Sequence, residues 1–126
     1  MTQTRFDVLT IGNAIVDIIA PVEAGFIERE GMKEGIMHLI DTDRAEDLYA
    51  KMPLERQQIS GGSAANTAAG VASLGGRAAF IGKVADDPLG DVFESDLDTI
   101  GVHYNTSRLK NGALTARSMI FLSEDG

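Results

Sequence analysis

The distribution of apolar residues along the chain alternates between short β-branched runs and longer stretches with helical spacing. Runs typical of buried strands lie at 6–12, 13–20, 36–40, 78–84 and 119–122. Helices are predicted at 23–31, 42–52, 63–74 and 88–100, where apolar residues recur every three or four positions or small residues lie between two glycine pairs. Asp87-Pro88 is typical of a helix start and Gly101 of a helix end, so the last helix has defined bounds.

The alternation of strands and helices predicts an α/β fold built around a mainly parallel sheet. The segments 13–20, 36–40 and 102–122 do not fit that sheet, and Asn111-Gly112 within the last of them predicts a hairpin turn. We expect these segments to form a small separate β layer. With 126 residues and no internal repeat, the chain has the length of one ordinary domain.

Composition and charge narrow the classes of function. The net charge of −8 argues against a nucleic-acid partner, which would require clustered Lys and Arg. The absence of cysteine excludes disulfides and thiolate metal sites. No apolar run approaches the ~20 residues needed to cross a membrane, and the first residues do not have the pattern of a signal peptide. The expectation is a soluble cytoplasmic protein.

The pair Gly61-Gly62, directly before a predicted helix, is the first candidate for chemistry. Glycines let the backbone approach a ligand closely, and a helix N-terminus offers N–H groups without helical partners. Asn66 falls about one turn into that helix, where its amide can donate to and accept from ligand hydroxyls. A tight strand-to-helix turn without any ligand explains the same glycines equally well, and both interpretations stay open.

Asp17 interrupts an apolar strand, and a carboxylate there is costly unless it is paired or hydrated. It is interpreted either as an acceptor for two sugar hydroxyls or as a residue on a solvated strand edge, and Asn13 carries the same ambiguity, with a turn role as its alternative. His38 and His103 lack metal-ligand spacing, and the chain has neither a Walker A loop nor a dinucleotide-binding glycine motif. The acidic residues within 86–98 are interpreted as the solvated face and N-terminus of a helix.

Several stretches, taken together, carry a family resemblance. The first is Gly61-Gly62-Ser63-Ala64-Ala65-Asn66, with Gly75 at the end of the following helix. The second, F-I-G-K-V-A-D-D-P-L-G at 80–90, contains a strand, an aspartate pair and a helix start. The segment 12–17 (G-N-A-I-V-D) and the strand at 115–126, which ends in a D-G turn, complete the set. Together they resemble the N-terminal part of the ribokinase (PfkB) family, and its adenosine kinase-like members in particular.

The resemblance implies a Rossmann-like three-layer core with a small β-sheet lid. Residues 1–126 would be its N-terminal, substrate-binding part, with lid segments near 13–20, 36–40 and 102–122. Asp17 would bind sugar hydroxyls, Gly61, Gly62 and Asn66 would complete the cradle, and Asn13 would line the same pocket. Relatives often dimerise through the lid, which implies a homodimer.

The resemblance also assigns chemistry that this chain does not supply. ATP and Mg²⁺ would serve the complete family member, but the G-A-G-D motif that holds the family's catalytic base and anion hole is absent. No catalytic residue and no metal ligand is therefore assigned here. Two further departures are Ala85, where the family commonly has Gly, and Ser63, which replaces the Lys of many ribose kinases and favours a nucleoside over ribose.

The leading hypothesis is the substrate-binding half of an ATP-dependent kinase. Its substrate would be a nucleoside resembling adenosine, or a sugar, phosphorylated on a hydroxymethyl group. The alternatives are a ribose- or fructose-type sugar kinase, a non-catalytic module that binds a sugar, a nucleoside or a partner, and an unrelated α/β domain in which Gly61-Gly62 is only a turn.

Overall fold

The structure is a computed structural model that describes residues 4–124. Strands and helices follow one another along the chain, as the apolar pattern predicts. The elements are β1 (Val8–Ile11), β2 (Ile15–Pro21), α1 (Phe26–Arg29), α2 (Thr42–Lys51), β3 (Gln57–Gly61), α3 (Ser63–Ser73), β4 (Ala78–Ile81), α4 (Pro88–Ile100) and β5 (Ala116–Leu122). The predicted α/β class is confirmed. The turn predicted at 124–126 extends into residues 125 and 126, which lie outside the described part of the chain.

The strands form two sheets. β1 and β4 are parallel, with Val8 in register with Ala78 and Ile11 in register with Ile81. The other sheet has the strand order β3-β2-β5. A second β layer was expected from 13–20, 36–40 and 102–122, and β2 and β5 lie largely in the first and the last of these segments. Its remaining strand is β3, whose polar start (Gln57-Gln58) gave no strand signal in the sequence.

Two compact units make up the chain: one comprises Met1–Asp17 and Gln58–Ser118, the other Ile18–Gln57 and Met119–Gly126. In the first unit α3 packs against β1 and β4 and also touches α4. Its core contains the fully buried Phe80 and Phe93, whose ring centroids lie 5.6 Å apart. In the second unit Phe26 packs against Phe121 at 5.3 Å between centroids.

The bounds of α4 follow from local chemistry. Asp87 is the N-cap, and its carboxylate accepts a hydrogen bond of 2.8 Å from the Gly90 N–H. Pro88 occupies the first turn, where its missing N–H costs nothing. Gly101 ends the helix with φ +87°, a left-handed conformation that glycine adopts without strain. The helix predicted at 88–100 is confirmed at both ends.

The other predicted helices are confirmed with shifted bounds. α3 lies within the predicted 63–74, and Ala65 and Ala68 form its buried face. α2 begins at Thr42 as predicted, after the N-cap Asp41, whose carboxylate accepts from the Arg44 N–H at 2.8 Å, and it ends one residue before the predicted end. The helix predicted at 23–31 is reduced to the four residues of α1.

Two predictions of β structure are wrong. Residues 36–40 contain no strand, and Met37 and Leu39 are 77% and 91% exposed, so an apolar run lies at the surface instead of in a sheet. Asn111-Gly112 does turn the chain, with φ +56° at Asn111, but no hairpin surrounds it in the described residues. The preceding segment makes parallel bridges instead, Ala79 with His103 and Ala85 with Leu109.

Candidate functional site

Asp17 and Gly61 lie side by side, although 44 positions separate them in the sequence. Asp17 is on β2, between the buried Val16 and Ile18, and is itself half-buried. Gly61 ends β3 and is buried, and a Cβ placed on it would lie 2.7 Å from the Asp17 Cγ. Any larger residue at 61 would therefore displace the carboxylate. The predicted pairing of these two positions in one site is consistent with this geometry.

The Asp17 carboxylate is available to a ligand. Within residues 4–124 it has no hydrogen-bond or ion-pair partner, and no side-chain oxygen or nitrogen there is both fully buried and unpaired. Its oxygens therefore reach solvent. Because no protein donor uses these oxygens, the carboxylate keeps its full capacity to accept hydrogen bonds. Water or a ligand must supply the donors, since a half-buried charge is costly without them.

Gly62 brings Asn13 to the same place. It has φ +93°, and a Cβ there would lie 2.7 Å from the Asn13 carbonyl oxygen. The adjacent Gly12 is equally constrained, because its Cβ would lie 2.7 Å from the Cβ of Ala64 in the first turn of α3. The turn between β1 and β2 thus packs directly on the start of α3, through positions where only glycine fits. The side chain of Asn13 is exposed beside this contact.

The N-terminus of α3 completes the arrangement. Gly62 is its N-cap and supplies no side-chain cap, and no acidic residue lies in the first turn. The N–H groups of its first residues therefore have no helical acceptor, and they favour an oxygen-rich or anionic ligand. Asn66 is tied to this turn because its N–H donates to the Gly62 carbonyl at 2.8 Å, and its side chain is exposed.

A residue that the sequence did not single out supports this turn from α4. The Asp96 Oδ2 accepts a 2.6 Å hydrogen bond from the Ser60 N–H, one residue before Gly61. The sequence placed Asp96 on a solvated helix face, and this interpretation is wrong. The available signal was its position three residues after the buried Phe93, at the border of the apolar face.

Asp87 was also assigned to the solvated start of α4, and it does more than cap the helix. Its carboxylate accepts from the Thr115 N–H at 2.8 Å and from the Thr115 hydroxyl at 2.7 Å. Thr115 is 4% exposed, and its Oγ1 accepts from the Ala85 N–H at 2.9 Å. Burial alone would raise the pKa of Asp87, but the hydrogen bonds from Thr115 and Gly90 outweigh it and hold that pKa below its usual value.

The other acidic residues at the start of α4 are paired with one cation. Arg108 makes ion pairs with Asp86, Asp91 and Glu94, and Glu94 and Asp91 raise the pKa of its guanidinium. The histidines have structural surroundings: His38 accepts from the Lys33 N–H at 3.2 Å, and His103 stacks on Phe6.

No group of three or more His, Asp or Glu residues between 4 and 124 could hold a metal ion. The residues present thus do not form a magnesium site by themselves, and no chemical step is assigned to a metal here. In the same range, none of the helices is both long and apolar enough to pass through a bilayer.

Fold and site together define a class: an α/β protein in which a glycine turn at a helix start faces an unpaired carboxylate on a neighbouring strand. A family model for pfkB family carbohydrate kinases matches residues 6–126. The chain belongs to the pfkB family of carbohydrate kinases, which confirms the predicted resemblance.

Two solved kinase structures are similar to the chain in both sequence and fold. The chain is 58% identical to adenosine kinase from Sinorhizobium meliloti, with a TM-score of 0.84, and this match covers 98% of the chain and 37% of that protein. It is 54% identical to a probable sugar kinase from Rhizobium etli CFN 42, with the same TM-score and coverage. Among curated proteins, fructokinase-2 from Solanum habrochaites is 42% identical over 66 residues, which are 52% of this chain and 20% of that protein.

Proposed function

We propose that the chain supplies the substrate-binding part of an ATP-dependent kinase that phosphorylates a hydroxymethyl group of a nucleoside or a sugar. The observation that carries this proposal is the unpaired Asp17 carboxylate beside Gly61, next to the uncapped N-terminus of α3. Membership of a carbohydrate kinase family supports the class of substrate.

The proposed binding mode follows from donor and acceptor capacity. An ionised carboxylate is acceptor-only and can take two neighbouring hydroxyl donors at once, as a sugar diol presents them. The Asn66 amide offers one acceptor and two donors, and the helix N–H groups offer further donors. Such a cradle fixes a sugar ring so that one hydroxyl points in a defined direction. Positioning of this kind supplies much of the catalysis in phosphoryl transfer.

The proposal also assigns separate roles to the phosphoryl donor, to the substrate-binding residues and to the general base. ATP is the expected phosphoryl donor in this family, and Asp17, Gly61, Gly62, Asn66 and Asn13 are assigned to substrate alone. No residue of the chain is assigned as the general base. We infer that the general base and the ATP site lie outside this chain, which spans 37% of the adenosine kinase from Sinorhizobium meliloti.

Two substrate classes have specific support. The 58% identity to an adenosine kinase favours a nucleoside, and the departure at Ser63 points in the same direction. The similarity to a fructokinase and a probable sugar kinase favours a hexose or pentose. Calorimetric titration with adenosine, ribose and fructose separates the two, because a nucleoside site gains base contacts that free sugars cannot make.

Asp17→Asn tests the proposed role directly. Asn keeps one acceptor oxygen, so the variant loses the charge and one of the two accepted hydrogen bonds. Each hydrogen bond to a charged group is worth about 1.5–3 kcal/mol, so binding of the preferred ligand should weaken at least about tenfold. Asp98→Asn is the matched control, since Asp98 is an exposed carboxylate on α4. If Asp17→Asn binds every ligand tested with the same affinity as the unsubstituted chain, the assignment of Asp17 is wrong.

Location and assembly are further expectations of the same proposal. The family resemblance and the composition predict a cytoplasmic protein that dimerises through its lid segments. Light scattering on the purified protein tests the dimer: a mass of 13.4 kDa for this chain would contradict it, and twice that mass would support it.

A further inference from the structure

The segment between Leu109 and Thr115 is fixed at both of its ends. The Leu109 N–H donates to the Val84 carbonyl at 2.9 Å, and the Leu109 carbonyl accepts from the Asp86 N–H at 3.0 Å. At the other end, Thr115 is bound to the carboxylate that caps α4. The five residues between these anchors are all exposed, and within residues 4–124 none of them makes a hydrogen bond. We call 110–114 the free loop.

The free loop contains the Asn111-Gly112 pair, which the proposed function does not use. Asn111 has φ +56°, a left-handed conformation that asparagine tolerates better than most residues. Gly112 has no Cβ to shield its backbone nitrogen, and its N–H has no acceptor among the described residues. The nitrogen of Gly112 is therefore free to turn toward the side-chain amide of the residue before it.

We propose that Asn111 is a site of spontaneous deamidation, with the Gly112 backbone nitrogen as the nucleophile and water as the co-reactant. The nitrogen attacks the Asn111 Cγ, and a bond forms between these two atoms. The side-chain amide nitrogen leaves as ammonia and takes the Gly112 amide proton with it, so a cyclic imide remains. Attack within one chain is favoured because the reacting groups are already close together.

Water then opens the imide at one of its two carbonyl carbons. Cleavage of the bond between the Gly112 nitrogen and Cγ gives aspartate at position 111. Cleavage of the bond to the main-chain carbonyl carbon gives isoaspartate, in which the main chain runs through Cγ and is longer by one methylene. Either product makes the net charge one unit more negative than −8. The free loop can accommodate both products, because it has no hydrogen bonds to lose.

The other three asparagines of the chain lack at least one of these conditions. Asn66 lies within α3, where the next N–H belongs to the helical hydrogen-bond ladder. Asn13 and Asn105 are followed by Ala14 and Thr106, whose Cβ atoms crowd the attacking nitrogen. Asn105 is exposed in the same connection between α4 and β5, so it is an internal control.

The test is to incubate the folded 126-residue chain in water labelled with heavy oxygen and then to digest it in ordinary water. An arginine-specific protease releases residues 109–117, since Arg108 and Arg117 flank them. Mass spectrometry should show the acid form of this peptide with one heavy oxygen at position 111. Its formation should be at least about tenfold faster than modification of Asn105. Deamidation that occurs during digestion carries no heavy oxygen and is thereby excluded.

Gly112→Ala should slow the reaction at least about tenfold, because the added Cβ hinders the attacking nitrogen. That Cβ would lie 2.9 Å from the Leu109 Cδ2, the end of a flexible and exposed side chain, so the variant should fold. Ala113→Gly is the matched control and should leave the rate unchanged. Asn111→Asp, which reproduces one product, should keep the melting temperature measured by circular dichroism.

Three outcomes would overturn the proposal. One is a folded chain that stays unmodified while the free peptide 109–117 deamidates, because the fold would then hold Asn111 away from attack. Another is equal rates at Asn105 and Asn111. The third is an unchanged rate in Gly112→Ala. Asp17→Asn should deamidate at the rate of the unsubstituted chain, so failure of the ligand site is separately visible.

Discussion

Asp87 links the start of α4 to Thr115, and its removal should cost far more unfolding free energy than loss of an ordinary helix cap. Its carboxylate caps α4 at Gly90 and accepts two hydrogen bonds from Thr115, which precedes β5. Loss of an N-cap side chain costs about 1 kcal/mol. In Asp87→Ala the hydroxyl and N–H of the buried Thr115 also lose their acceptor, at about 1–3 kcal/mol for an unsatisfied buried group. The expected loss of unfolding free energy is about 2–4 kcal/mol.

Urea unfolding followed by circular dichroism measures this loss. The control is Asp91→Ala, because Asp91 lies in the first turn of α4 but is exposed, and its carboxylate forms a surface ion pair with Arg108. An exposed ion pair contributes about 0–1 kcal/mol. The two variants should therefore differ by at least about 1 kcal/mol, although both remove a carboxylate from the same helical turn.

A double-mutant cycle separates the cap from the link to residue 115. Thr115→Val keeps the side-chain volume while removing the hydroxyl, so the effects of Asp87→Ala and Thr115→Val should be non-additive by about 0.5–3 kcal/mol. If Asp87→Ala costs no more than Asp91→Ala, or if the two effects simply add, the link between α4 and the start of β5 is energetically unimportant and the reasoning fails.

Three further predictions concern the turn and the surface. Gly62→Ala should destabilise the protein by about 1–3 kcal/mol, because residue 62 has a positive φ and lies close to the Asn13 carbonyl. The loss should appear as a lower urea midpoint. Gly70→Ala is the control and should not lower the midpoint, because Gly70 lies in open space on α3. Asp96→Ala should weaken ligand binding beyond its effect on stability, because the Ser60 N–H loses its acceptor; unchanged affinity in a folded variant would contradict this. Hydrogen bonds from the Arg77 guanidinium and from the Arg77 backbone N–H lower the pKa of Asp7 to about 2. The contribution of this pair to stability is complete above pH ~4 and is lost as pH falls toward 2. NMR titration should show the Asp7 midpoint rising in Arg77→Gln but staying below the ordinary value for Asp, because the backbone N–H still donates; an unchanged midpoint would contradict this.

Local signals predicted the elements whose ends are chemically defined. Asp87-Pro88 and Gly101 place α4 correctly because capping acts within a few residues. The failures are non-local. The apolar run at 36–40 lacks any neighbour to pair with, and periodicity cannot reveal that. Asn111 adopts its turn conformation, but the preceding segment bridges to residues around β4, a partner that the turn itself does not specify.

For the candidate site, too, the sequence predicted what local signals define and missed what depends on distant residues. Gly61 and Gly62 are recognisable as a glycine pair before a predicted helix, which is equally typical of a simple turn. The family resemblance then linked them to Asp17. The geometry then brings Asp17, Gly61, Gly62 and Asn13 together. The sequence places Asp96 at the border of the apolar face of α4, but it does not identify the partner, since the bond to the Ser60 N–H depends on where α4 lies relative to β3. A backbone donor such as the Ser60 N–H leaves no trace in the sequence pattern.

The parallel pairing of β1 with β4 has a consequence for synthesis of the chain. Val8 pairs with Ala78, so the first strand must wait for about seventy more residues before its partner exists. At typical synthesis rates of roughly 5–20 residues per second, that interval is about 4–14 s. During this interval β1 has no partner strand. Pairings between strands that are distant in sequence also form slowly. β1 thus leaves the ribosome well before β4 and exposes its unpaired edge and its aliphatic side chains for that whole interval.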